Sequence, residues 1–129
     1  MGTAAAAFFT AVNLMYAAIF GGPIDGTAWD VKVRQQGFFH WTSQSDTLVF
    51  HGGKAVIAGE IAKGYAPALY DASQDASGTA FTVRLETEDH DPVVWSGRVK
   101  DDRIAGVVVV RRRDGRIARY VFSGGRKAG

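Results

Sequence analysis

From Gly26 to Arg126, apolar and polar side chains alternate with a period of two. Tight turns interrupt the pattern and leave almost no room for a helix. Alternation of this kind predicts strands with one buried and one solvated face. Thr27 to Val33 (TAWDVKV) puts Trp29, Val31 and Val33 on one face and Ala28, Asp30 and Lys32 on the other. Gln35 to Ser45 is less regular and predicts a loop. Its Phe38, Phe39 and Trp41 are too apolar for open solvent and are expected to pack over something. Asp46 to His51 (DTLVFH) is a predicted strand. Gly52-Gly53 is a two-residue hairpin signal, because glycine takes positive φ without steric cost. Lys54 to Ile61 (KAVIAGEI) is the expected return strand, with Gly59 marking a bulge or a sharp bend.

Tyr65 to Asp71 (YAPALYD) is extended around Pro67 and reads as an edge or irregular strand. Asp71 to Gly78 (DASQDASG) reads as a polar turn. Thr79 to Thr87 is the cleanest strand, with Phe81, Val83 and Leu85 inward, and Glu88 to Pro92 turns the chain. Val93 to Lys100 places Val93, Trp95, Gly97 and Val99 on one face, and Asp101-Asp102 turns it. Arg103 to Arg112 contains Val107 to Val110, apolar on both faces. Asp114-Gly115 is the strongest hairpin signal. Arg116 to Gly124 closes the set with Tyr120 and Phe122 inward. These are about eight strands joined by short turns, so sequence neighbours should be sheet neighbours. The predicted fold is all-β: an antiparallel up-and-down barrel of about eight strands, a size whose interior is filled by side chains or holds one small ligand.

Composition adds an address. Ala4 to Phe20 (AAAAFFTAVNLMYAAIF) carries no charge, and the first charged side chain is Asp25. Its length and apolarity match the core of an export signal, with Gly21 and Gly22 as a possible cleavage point. It lacks basic residues and an Ala-x-Ala site. A retained helix covering one barrel end and a membrane anchor are the other readings, and the segment is at the lower length limit for a span. Residues 1–22 are therefore assigned as signal peptide or hydrophobic N-terminal helix, and residues 23–129 as the barrel domain. The expected location is secreted or periplasmic. The chain has no cysteine, which excludes disulfides and thiolate chemistry. A net charge of +2 predicts no nucleic-acid partner.

Gly26-Thr27-Ala28-Trp29 at the head of the first strand, with Arg126 near the chain end, resembles the lipocalin and calycin pattern. There a tryptophan opens the barrel and a late arginine packs on its ring. A closer resemblance is to small secreted bacterial lipocalin-like proteins of unassigned function. They carry, in order, a DGTxWxV start, a DTLxFxxGK hairpin, a KGYxPxxY segment, a WxGxVxxDxIxG hairpin and a DGxxxxYxFxG strand. Asp25 to Val31, Asp46 to Lys54, Lys63 to Tyr70, Trp95 to Gly106 and Asp114 to Gly124 stand in those places. The resemblance implies a calycin-like barrel, with Trp29 and Arg126 in structural roles, and implies no particular activity.

The candidate chemistry is sparse. Trp95, Phe81 and Tyr120 are assigned inward, where they fill a core or line a ligand wall. Tyr65 and Tyr70 need hydroxyl partners, which a ligand, a water or the backbone can supply. His40, His51 and His90 show no metal-ligand spacing, and no metal or other cofactor is expected. Arg111 to Arg113 with Arg116 and Arg119 form a basic hairpin, read as a solvated turn or as a contact for an anionic surface. No serine lies in a nucleophile elbow, and no glycine-rich loop precedes a helix. Asp89-His90-Asp91 reads as a soluble turn. No catalytic motif is recognised. The expected function is binding of a small, largely apolar molecule through Tyr65, Tyr70, Phe81, Trp95 and Tyr120. A filled barrel acting as a non-enzymatic, envelope-associated interaction module is the alternative.

Overall fold

The period-two pattern folds as eight strands in a computed structural model that describes residues 23–35 and 43–128. In chain order they are β1 (Thr27–Gln35), β2 (Gln44–His51), β3 (Lys54–Ile57), β4 (Ala68–Asp75), β5 (Gly78–Leu85), β6 (Val93–Lys100), β7 (Arg103–Arg111) and β8 (Ile117–Arg126). A short helix, α1 (Ala58–Lys63), follows β3. Each strand pairs antiparallel with the next, and β8 pairs with β1, which closes the barrel. The expected all-β up-and-down architecture is the one observed. The leader and the apolar stretch holding Phe38, Phe39 and Trp41 lie outside the described residues.

Two local expectations are corrected. The return strand expected over Lys54 to Ile61 stops at Ile57, and Ala58–Lys63 is helical. Ile57, Gly59 and Ile61 prolong a strand-like alternation, but AGEIAK is rich in helix formers and is followed by Gly64, which ends the helix with φ 111°. The Gly64 and Tyr65 N–H groups bond back to the Ile61 and Glu60 carbonyls. The second correction is at Asp71 to Gly78, expected as a turn. Here β4 runs on to Asp75 and only Ala76-Ser77 turn. Pairing of Ala72 with Phe81 and of Ser73 with Ala80 overrides the turn preference of DASQD. The Gly52-Gly53 turn is as expected, with φ of 60° and 79°.

The interior is organised by register. Phe81, Gly97, Gly106, Phe122 and Val33 lie side by side across five neighbouring strands. The two glycines leave a trough, and Phe122 fills it. A Cβ on Gly97 would lie 3.0 Å from the end of the Phe122 ring, and one on Gly106 2.7 Å from it. Phe122 packs on Trp95 with centroids 5.0 Å apart, and Phe81 on Phe50 at 5.1 Å, with Tyr70 edge-on to Phe50 at 4.8 Å. This aromatic chain plugs the middle of the barrel. Trp29 is 1% exposed, near the end that carries the β2–β3, β4–β5 and β6–β7 turns. Its indole N–H donates to the Thr27 hydroxyl at 2.8 Å. Arg126, at the end of β8, lies opposite Trp29 in the β1–β8 register and is exposed.

Closure demands a close crossing. A Cβ on Gly124 would sit 1.9 Å from the Asp30 carbonyl oxygen, which is backbone and cannot yield. At the adjacent Gly125 the nearest atom is 3.4 Å away, on the flexible Arg103 side chain. Gly124→Ala should therefore lose ~1–3 kcal/mol of stability in urea titration, as overpacked sites do. Gly125→Ala should stay within ~0.5 kcal/mol of wild type. Equal losses would contradict this account of closure.

Candidate functional site

Above the aromatic plug, the described residues leave the barrel open at the end that carries the β5–β6 and β7–β8 turns and α1. A cavity of about 410 Å³ lies there. Trp95, Val108 and Tyr120, neighbours across β6, β7 and β8, form one wall with Val33 and Val110. Gln35, Gln44 and Asp46 come from β1 and β2, and Gly59, Glu60 and Lys63 from α1. Arg34 stands on the rim. The volume falls in the range of small-molecule sites.

Helix α1 brings a carboxylate inside. Asp46 Oδ1 accepts the Gly59 N–H at 2.8 Å, so a β2 side chain caps the helix start. Gly59 allows that approach, since a Cβ there would come within 2.6 Å of Asp46 Oδ2. At the exit the Tyr65 hydroxyl donates to the Asp91 carbonyl, and its ring lies 5.3 Å from His90. Fixed at both ends, α1 holds Glu60 only 5% exposed. Glu60 Oε1 accepts from Lys63 Nζ at 3.2 Å, while Oε2 has no partner among the described residues. Trp95, 2% exposed, likewise has an indole N–H without a partner among the described residues. Two residues that line one cavity thus each carry a buried polar atom with no partner among the described residues. Such groups are rare in native interiors and costly to leave unpaired.

The five residues singled out from sequence are divided by the fold. Trp95 and Tyr120 line the mouth together. Phe81 lies below them in the plug. Tyr65 anchors the exit of α1, with its pKa raised by burial and then by the Glu60 and Asp91 charges. Tyr70 belongs to a network near the opposite end. Its hydroxyl donates to Asp25 Oδ1 at 3.0 Å, and the same carboxylate accepts the Gly52 and Gly53 N–H groups, each at 3.0 Å. Glu60 and Asp46 were not singled out from sequence. The signal for Glu60 is AGEIAKG, a helix ending in lysine and glycine with a glutamate three positions before the lysine. Among the described residues no cluster of His, Asp and Glu has metal-site geometry. Neither family models, nor characterised proteins, nor solved structures match this chain.

The Asp25 network carries a pH prediction. Burial raises the Asp25 pKa, but hydrogen bonds from Gly53, Tyr70 and Gly52 outweigh it and leave the group below 3.8. Burial, reinforced by Asp25, pushes Tyr70 well above 10.0, so it remains a donor. A depressed folded pKa gives stability that is fully present above about pH 4 and lost as pH falls through the folded value. Asp75, held at about 2 chiefly by the Arg98 guanidinium, loses its share at lower pH. Asp25→Asn should lower the urea midpoint at neutral pH and flatten the upper part of the acid limb, leaving the lower part. An acid limb parallel to wild type would contradict the network.

Proposed function

We propose that this protein binds a small amphipathic molecule in the mouth of its barrel, not in mid-barrel. The observation that supports this most is that two residues lining one cavity with apolar walls, Glu60 and Trp95, each carry a buried polar atom, Oε2 and Nε1, with no partner among the described residues. A ligand inserts its apolar body against Val33, Val108, Val110 and Tyr120 and satisfies both atoms. Trp95 and Tyr120 are then contact residues. Phe81 supports the floor, while Tyr65 and Tyr70 hold the frame. The likeness of Asp25–Val31 and the later motifs to secreted lipocalin-like barrels favours the same reading. The uncharged segment from Ala4 to Phe20 favours a secreted or periplasmic address. The filled middle favours a second reading, a barrel that acts through its surface.

Uptake of a neutral apolar dye separates the two. Nile red should bind with a blue-shifted emission. Val110→Trp, which fills the mouth, should weaken that binding about tenfold or more. Val107→Trp, on the outward face of the same strand, should leave it unchanged. Uptake unaffected by Val110→Trp, or no uptake at all, would favour the surface module.

A further inference from the structure

The two unsatisfied atoms specify more than a site, provided the mouth is a binding site at all. Glu60 is a carboxylate 5% exposed, one of whose oxygens is held by Lys63. Lys63 itself is a poor complement, since its side chain is 66% exposed and stays mostly in water. A buried carboxylate oxygen with no partner is best satisfied by a positively charged donor. The other carboxylate on the wall, Asp46, is already committed through Oδ1 to the Thr47 and Gly59 N–H groups. Trp95 makes the opposite demand. Its indole N–H is a donor only, so it calls for an acceptor. It lies beside Val108 and Phe122, where a neutral oxygen costs less to bury than an anion. The basic side chains Arg34 and Lys63 belong to the cavity edge and do not supply that acceptor.

We infer that the mouth selects a compact amine whose apolar body also carries a neutral hydrogen-bond acceptor, with the ammonium group on Glu60 and the acceptor on the Trp95 indole N–H. The cavity of about 410 Å³ corresponds to about fourteen water volumes at ~30 Å³ each, which limits the ligand to one or two rings or a short chain. The carboxylate rejects acids by repulsion and by the cost of burying two like charges, and it gives alcohols a hydrogen bond without neutralising its charge.

The test is a matched series on the full chain, followed by calorimetry and by the indole N–H resonances in nitrogen-15 NMR. The probes are para-methoxyphenethylamine, the corresponding alcohol, para-methoxyphenylacetate, and phenethylamine without the methoxy acceptor. The methoxy amine should bind about tenfold or more tighter than the alcohol. The acid should not bind. The methoxy amine should move the indole resonance that Trp95→Phe removes, and phenethylamine should move it less. Glu60→Gln, which keeps shape and removes charge, should abolish the preference for amine over alcohol without weakening the alcohol. In Trp95→Phe the advantage of the methoxy amine over phenethylamine should vanish. Alcohol and amine bound equally, or a preference that survives Glu60→Gln, would overturn the inference while leaving a binding mouth in place. Nile red uptake with no preference in the series has the same meaning. No binding by any probe, Nile red included, would overturn both.

Discussion

Phe122 resting on Gly97 and Gly106 is the contact on which the rest of the molecule depends. An eight-stranded barrel has a narrow interior, and its contents are decided by which side chains meet at the same level. Here two neighbouring strands present glycine at one level, and the third presents phenylalanine. The ring fills the space that the glycines leave and meets Trp95 on one side and Phe81 on the other. Phe50 and Tyr70 extend the chain across the barrel. The middle is therefore filled with aromatic rings, and the cavity lies toward one end.

The two ends are then used differently. The end nearer Trp29 is tied together by Asp25, which joins the start of the domain to the β2–β3 hairpin and, through Tyr70, to β4. At the other end, β3 stops after four residues and α1 takes its place. The helix is capped by a neighbouring strand and anchored by Tyr65, and it carries one carboxylate over the open mouth. Frame and site thus rest on separate sets of hydrogen bonds.

Much of this was legible in the chain. Strands such as Thr27–Gln35, Gly78–Leu85 and Val93–Lys100 have one apolar face each, so alternation identified both the strand and its inward side chains. Trp95 and Tyr120 were found in that way. The helix was hidden because Ile57, Gly59 and Ile61 continue the alternation of β3, so Glu60 falls within the expected return strand. β4 was hidden because its outward residues are turn formers, and only pairing with β5 holds them extended. Alternation places Gly97 on the face of Trp95 and leaves open what covers it. Register alone reveals that Phe122 covers it, and register is a long-range property that a local pattern does not encode.

The proposed binding is confined to one end of a barrel whose middle is filled. The most direct measurement is a map of backbone amide shifts during titration with an apolar ligand. Shifts are expected only at Val33, Gln44, Glu60, Trp95, Val108, Val110, Tyr120 and their strand neighbours. Shifts centred on Trp29, Val99 and Ile104, or spread over the outer faces of the strands, would contradict it.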